Sequence, residues 1–257
     1  MNAADVVAAI GKGLVAALET NERFLGADGS IYRNAQIQTE YVTTVKLGEA
    51  LVGFDRVVRL EASMRGLRRK FGGLARLHAL NDTASRWPAI ESALAPFTFG
   101  KQRLDVLVES SDTDKPPLLM VEAKLGVSNV AGVIRDIDRI VKLFEILEAV
   151  GMLQEQTYGA AVFHVQQDGA RASALQAKAQ SLLDAVAAHV APMRTSHPRL
   201  KIKAGLLTGS QIEQPVSGSY EIRDDGAIES EFEKDGFAFS AGMVLIGACA
   251  DIDTVQF

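Results

Sequence analysis

Three charged side chains lie within two apolar runs of the sequence. Asp105 lies within 104–108, and Glu122 and Lys124 lie within 117–125. Because successive side chains of a strand point to opposite faces, Glu122 and Lys124 share one face if the second run is a strand. Pairing of the two runs as a hairpin can bring Asp105 beside them, although the sequence does not fix the register.

Two carboxylates and a lysine on one face suit metal-assisted hydrolysis. The carboxylates of Asp105 and Glu122 can bind Mg²⁺ and leave coordination positions for water and a phosphate oxygen. A metal in this position lowers the pKa of its water and stabilises charge on phosphorus-bound oxygens. Lys124 can orient the attacking water or neutralise developing negative charge. The alternative is an ion pair of Lys124 with Glu122 or Asp105 at a strand end.

Periodicity and turn residues predict the helices and strands that carry these three residues. Apolar side chains recur at helical spacing in four segments, and β-rich apolar runs mark several strands. Residues 65–80 are helix-like, but Gly72-Gly73 predicts an interruption. The turn Asp224-Asp225-Gly226 predicts a hairpin. The predicted helices cover 3–19, 34–52, 128–150 and 170–191, and the further predicted strands cover 56–64, 158–165, 200–209 and 237–248.

The order of the predicted elements resembles that of the PD-(D/E)XK (restriction-endonuclease-like) nuclease superfamily. This order is helix, strand, Asp-bearing strand, Glu-x-Lys strand, helix and strand. The resemblance covers roughly residues 34–165, about half of the chain. It implies that Asp105 and Glu122 are metal ligands and that Lys124 is the catalytic lysine. Leu104 stands where the family has proline before the Asp.

Members of that superfamily often carry another acid on the helix before the first core strand. Glu40 fits this position, on the edge of the apolar face of the helix predicted over 34–52. A glutamate there needs a partner, a metal or access to solvent. Glu40 is therefore either a fourth catalytic residue or a boundary residue. Glu49 and Glu61 are weaker candidates.

The resemblance and the pattern together predict an α/β fold with a mixed central β-sheet flanked by helices. We expect a single domain over residues 1–257 with a restriction-endonuclease-like core over about 34–165. A basic insertion is predicted at about 65–96 and a C-terminal α/β extension, with strands and a hairpin, at 166–257.

The net charge of −5 hides a segregation of basic and acidic residues. Between residues 56 and 80, seven basic residues accompany one acid, and such a surface supplies sequence-independent affinity for phosphates. It could equally bind an acidic surface of a partner subunit. Spacing on the next long helix places Arg135, Arg139 and Lys142 in one stripe, with Asp138 able to pair with Lys142, so this stripe is either a phosphate contact or a solvated face. The candidate nucleic-acid-binding residues are Arg65, Arg68, Arg69, Lys70, Arg135 and Arg139.

Composition bears on the cellular compartment, on zinc binding and on membrane association. The single cysteine, Cys249, suits a reducing cytoplasm, and the four histidines lie too far apart in sequence for a zinc motif. No apolar run approaches the ~20 residues of a membrane span, so no membrane partner is predicted. The amino terminus predicts an amphipathic helix rather than a signal peptide.

These observations predict a cytoplasmic Mg²⁺-dependent endonuclease in which Mn²⁺ can substitute for Mg²⁺, acting on DNA rather than RNA. No organic cofactor is expected, and a homodimer is left open. The resemblance implies a setting in prokaryotic defence or repair. The alternative is a non-catalytic module that keeps the nuclease fold and binds nucleic acid or protein.

Overall fold

The computed structural model describes residues 1–25, 36–53, 56–78, 83–124, 127, 129–168, 172–208, 212–214, 219–222, 228–231 and 237–257. Within these ranges the side chains of 21–25, 36–40, 83–86, 166–168, 172–174, 212–214, 219–222, 228–231 and 237–239 lie outside the description. That of Glu40 is among them, so the structure gives only its place in a helix.

The described residues form seven helices and nine strands. The helices are α1 (Ala3–Leu25), α2 (Gln36–Leu51), α3 (Met64–His78), α4 (Thr83–Leu94), α5 (Ala131–Ala149), α6 (Ala172–Ser196) and α7 (Asp251–Thr254). The strands are β1 (Arg56–Ser63), β2 (Arg103–Ser110), β3 (Leu119–Lys124), β4 (Tyr158–Asp168), β5 (Lys201–Leu206), β6 (Ile212–Gln214), β7 (Ser219–Ile222), β8 (Ile228–Glu231) and β9 (Phe237–Gly247).

The main sheet is mixed. Its strand order is β1-β2-β3-β4-β9-β5, and β6 also pairs with β9. Among the described strands of this sheet, only β3 and β4 run parallel, joined by the crossover helix α5, and the other neighbours are antiparallel. The prediction of an α/β fold with a mixed sheet flanked by helices is therefore confirmed.

Helices cover both faces of this sheet. One core lies between the sheet and α3, α4, α5 and α6, and includes Leu107, Met120, Ile140 and Phe144. The other lies between the sheet and α1, α2 and α7, and includes Val106, Val121 and Leu47. Because β3 is covered on both faces, five of its six residues are buried. The two cores are called the α5-side core and the α1-side core below.

The sequence of helix α5 explains why this segment is helical and where the helix ends. Its apolar residues recur every three to four positions and bury one stripe against the sheet. Gly151 follows the helix with φ 72°, a conformation that favours glycine and ends the helix, as the sequence predicts. The first residues of α5 lie beside the end of β3, so this helix packs over Glu122 and Lys124.

Two local predictions need correction or completion. Helix α3 runs without interruption through Gly72 and Gly73. Gly72 is buried where a Cβ would come within 2.8 Å of Leu94 Cδ1, so its lack of a side chain lets α4 pack closely. Helix α4 itself was not predicted, because Pro88 lies within it. The predicted hairpin is confirmed: β7 pairs with β8, and its turn, 223–227, lies outside the described residues.

Within the described helices, none is long and apolar enough to serve as a membrane span.

Candidate active site

The three charged residues meet at a fork between β2 and β3. The two strands pair as far as Val106 and Val121. Beyond this pair, β2 continues beside β1 while β3 continues beside β4, so the strands separate. Asp105 and Glu122 are the first residues past the last pair. The Asp105 carboxylate accepts a hydrogen bond of 2.6 Å from the backbone N–H of Ala123, which has no strand partner on that side of the fork.

Strand β1 bends beside the same point. Glu61, which continuation of the β1–β2 register places opposite Asp105, has φ 54°, the left-handed region that is costly for a residue with a Cβ. Before it, Val58 packs against the α1-side core, whereas after it Ala62 packs against the α5-side core. The β1–β2 ladder therefore turns over at Glu61 and Asp105. Strained residues of this kind often accompany functional sites.

Glu122 and Lys124 project toward helix α5. Their strand neighbour on the same face, Met120, belongs to the α5-side core. A Cβ at Gly132, in the first turn of α5, would lie 3.8 Å from Lys124 Cδ. Lys124 therefore lays its aliphatic stem beside the start of the helix, and its ammonium group remains on the face that carries Glu122.

Glu122 has an unusual electrostatic environment. Only 1% of its surface is exposed, and this burial raises the pKa of its carboxyl to about 9, with further upward contributions from the negative charges of Asp105 and Asp136. Arg139 and Lys124 act in the opposite direction and lower the pKa. The burial of Glu122 therefore disfavours its ionised form, and the two neighbouring cations partly offset this effect. A strongly shifted carboxyl of this kind is typical of functional sites.

Helix α5 contributes two charged residues to this site: Arg139, predicted from sequence as a phosphate contact or a solvated residue, and Asp136, which was not predicted. Arg139 Nη2 lies 3.2 Å from Glu122 Oε2 and also donates a hydrogen bond to Asp136 Oδ1. Asp136 is 2% exposed. Asp136 falls on the buried stripe of α5, between Val133 and Ile140, and a carboxylate at a buried helical position was the signal that could have identified it.

The donor set fits a hard divalent cation. Glu122 Oε1 is buried and has no hydrogen-bond partner among the described residues. An orphaned carboxylate oxygen beside a second carboxylate, that of Asp105, is an arrangement that Mg²⁺ can use with water and phosphate oxygens. The described residues contain no group of three or more His, Cys, Asp or Glu side chains arranged as a metal site.

The predicted stripe on α5 needs correction. Arg135 is exposed, whereas Arg139 turns inward to Glu122 and Asp136. Lys142 lies over the ring of Phe99, 5.3 Å from its centre. Asp138 does not pair with Lys142, because its carboxylate contacts His189 Nε2 at 2.9 Å.

The basic segment divides into structural and exposed residues. Arg68 donates two hydrogen bonds, of 2.8 and 3.2 Å, to the carbonyl of Leu94. Lys70 forms an ion pair with the buried Glu109, which also pairs with Arg59 on β1. Arg65 and Arg69 are exposed, on the side of α3 that faces solvent. Of the four candidates in this segment, these two are available to a ligand.

The other acidic candidates are not joined to the site by the described side chains. Glu49 forms an ion pair of 2.8 Å with Lys46. The Glu61 side chain is exposed. Glu40 lies in α2, and its side chain is outside the described part of the chain.

Comparisons with family models, with curated proteins and with solved structures gave no match to this chain. The geometry of the site is therefore the basis of the functional assignment. It brings Asp105, Lys124 and Arg139 close enough to Glu122 for their charges to act on its carboxyl, and one buried oxygen of that carboxyl has no hydrogen-bond partner among the described residues.

Proposed function

We propose that the protein is a metal-dependent nuclease of the PD-(D/E)XK (restriction-endonuclease-like) superfamily, which hydrolyses phosphodiester bonds of nucleic acid, DNA rather than RNA. One observation carries this proposal: Asp105, Glu122 and Lys124 meet at the fork between β2 and β3, beneath helix α5. The order α2, β1, β2, β3, α5, β4 agrees with the order expected for that superfamily, with α3 and α4 placed between β1 and β2.

In this proposal Asp105 and Glu122 would hold Mg²⁺, or Mn²⁺ in its place. The cation would lower the pKa of its water and stabilise charge on the phosphorus-bound oxygens. Asp105 is held in position by the N–H of Ala123, and Glu122 by its burial beneath α5. Both carboxylates are therefore restrained before a metal binds.

Lys124 would act on the water or on the reacting phosphate. Its stem packs near Gly132, which limits the directions that the ammonium group can take. An ammonium group fixed beside two carboxylates can orient a water by hydrogen bonding and can neutralise the charge that develops in the transition state.

The nucleic acid would be held by exposed arginines on α3. Arg65 and Arg69 lie four residues apart on this helix, so they share one face. This face is separate from the side of α3 that buries Leu67 and Phe71 in the α5-side core. Contacts of arginine with phosphates give affinity without base specificity.

One observation favours a second candidate function. The contact of Arg139 with Glu122 and Asp136 makes an internal ion network, which a non-catalytic binding module could keep for stability alone. Such a module would bind nucleic acid or a protein through the same surface and would cleave nothing.

The two candidates are separated by incubation with plasmid, linear duplex, single-stranded DNA and RNA, each with Mg²⁺, Mn²⁺ or EDTA. The nuclease proposal expects cleavage of at least one DNA substrate with either metal and none in EDTA. Glu122→Gln serves as the inactive control, because it keeps the size of the side chain and removes its charge. Binding without cleavage under every condition would favour the non-catalytic module.

A further inference from the structure

Arg139 holds a position that is unusual for a surface arginine. It reaches from α5 to the buried carboxyl of Glu122, and only 25% of its side chain is exposed. Asp136, one helical turn earlier, accepts a hydrogen bond from the same Nη2 atom. One guanidinium nitrogen thus lies between two buried carboxyl groups.

The two carboxylate oxygens of Glu122 have different surroundings. Oε1 has no partner among the described residues, whereas Oε2 faces Arg139. A cation bound by Glu122 would therefore lie beside a guanidinium that is fixed by Asp136. Like charges at this range repel strongly when they are removed from water.

We propose that Arg139, held by Asp136, is a built-in counter-cation of Glu122 that weakens the binding of a divalent metal ion at this site. This inference rests on the proposed metal-dependent function. It makes Arg139 a positioning residue that stabilises the metal-free site, and it assigns to Asp136 the role of keeping the guanidinium in place. Arg139 then sets the metal concentration at which the site fills.

The sign of the effect does not depend on the starting charge of Glu122. A divalent cation carries two charges, whereas a proton that it replaces carries one. The guanidinium therefore repels the incoming cation more strongly than it repels the proton, and its removal favours the cation in either case.

The test is the Kd of Mn²⁺, measured by titration calorimetry on the full chain after removal of metals with EDTA and dialysis. Arg139→Gln should bind Mn²⁺ about tenfold more tightly than wild type, which corresponds to about 1.4 kcal/mol. Arg135→Gln is the matched control, because it removes the same charge from an exposed position of the same helix. Its Kd should stay within about twofold of wild type, since exposed charges are screened.

A second variant guards against loss of folding. Asp136→Asn/Arg139→Gln removes both members of the Asp136–Arg139 pair, so Asp136 is not left as a buried charge without its partner and the net charge is unchanged. It should still bind Mn²⁺ at least about threefold more tightly than wild type, because Glu122 Oε2 is freed. Equal Kd values for wild type, both Arg139 variants and Arg135→Gln would overturn the inference.

A last comparison separates this inference from the proposed function. Glu122→Gln should abolish Mn²⁺ binding in the wild-type and Arg139→Gln backgrounds. If Mn²⁺ bound equally well with and without Glu122, the metal would lie elsewhere, and both the proposed metal site and the role of Arg139 would be wrong. If binding needed Glu122 but did not respond to Arg139→Gln, only the role of Arg139 would be wrong.

Discussion

The carboxylate of Asp105 accepts a 2.6 Å hydrogen bond from the backbone N–H of Ala123, across the gap that opens between β2 and β3. A buried backbone donor without a partner is costly, so this contact allows the two strands to separate. The same carboxylate lies beside Glu122 and raises its pKa. Asp105 therefore has a structural role at the fork and an electrostatic role in the site.

The two roles of Asp105 can be separated by substitution. Asp105→Asn keeps an oxygen that can accept the hydrogen bond from Ala123, whereas Asp105→Ala leaves this N–H without its partner. We expect Asp105→Ala to lose about 1–3 kcal/mol of unfolding free energy and Asp105→Asn to lose less than about 1 kcal/mol, measured by urea unfolding in EDTA. Both should lose metal-dependent cleavage. Equal stability of the two variants would show that the hydrogen bond contributes little.

The raised pKa of Glu122 predicts a pH dependence of stability in the metal-free protein. The carboxyl titrates near 4.5 when unfolded and near 9 when folded, so between these values the folded state binds the additional proton. The free energy of unfolding should therefore fall as pH rises from about 5 to 9, by at most about 1.4 kcal/mol per pH unit. The unfolding free energy of Glu122→Gln should depend less on pH than that of wild type. This variant should also be more stable than wild type at pH 8.

Glu109→Gln is the control for this measurement. Burial raises the pKa of Glu109, but the hydrogen bonds from Lys70 and Arg59 outweigh it and hold the pKa below its usual value. The ionised form stabilises the fold above about pH 4.5, and this contribution is lost as pH falls. Glu109→Gln should therefore be less stable than wild type at pH 8, with an unchanged slope above pH 6. If the unfolding free energy of Glu122→Gln fell with pH as steeply as that of wild type, the pH dependence could not be assigned to Glu122.

Glu61 offers a test of strain beside the site. Its φ of 54° favours glycine, so Glu61→Gly should raise the unfolding free energy by about 1 kcal/mol or less. Val57→Gly is the matched control, because Val57 is an exposed residue of the same strand without a positive φ, and it should lose about 0.5–1 kcal/mol. If both glycine variants lost stability equally, the bend would not store strain. The measurement is thermal unfolding in EDTA.

The basic face of α3 predicts different outcomes for neighbouring residues. Arg65→Gln/Arg69→Gln should weaken DNA binding for all sequences alike and lower the slope of log K against log salt by about one per lost contact. Lys70→Met should leave this slope unchanged and lose about 1–3 kcal/mol of stability, because Glu109 loses a partner. Filter binding in EDTA, on the Glu122→Gln background, measures affinity without cleavage. An unchanged slope in the double variant would show that DNA does not bind at Arg65 and Arg69 of α3.

Much of the fold could be predicted from sequence, because its signals are local. The period of α5, the apolar runs of β3 and β4 and Gly151 after the helix each specify an element directly. The shared face of Glu122 and Lys124 follows from strand alternation alone. The uninterrupted helix through Gly72 could not be predicted, because the reason for the glycine is the approach of Leu94, which is distant in sequence.

Alternation along β3 predicts that Glu122 and Lys124 share a face, but the sequence does not predict that Arg139 and Asp136 of α5 lie beside Glu122. Arg139 has helical spacing with Arg135 and Lys142, which suggests that the three residues form one stripe. In the structure Arg139 instead points inward, where it contacts the buried carboxylate of Glu122 on β3. The partners of Arg68 and Lys70 are likewise set by tertiary packing against α4 and β2. Clusters of basic residues in a sequence therefore overstate the charge that is available at the surface.

The most direct test of the proposed active site is the single-turnover rate of DNA cleavage in Mg²⁺ by Lys124→Ala and Lys115→Ala. Lys115 lies between β2 and β3, where it pairs with Asp112 at 3.1 Å, so it supplies the same chemical change outside the site. Wild type and Lys115→Ala should cleave at rates within about twofold of each other, and Lys124→Ala should be at least about 100-fold slower with unchanged DNA affinity in EDTA. Cleavage by Lys124→Ala at the wild-type rate would contradict the proposed active site.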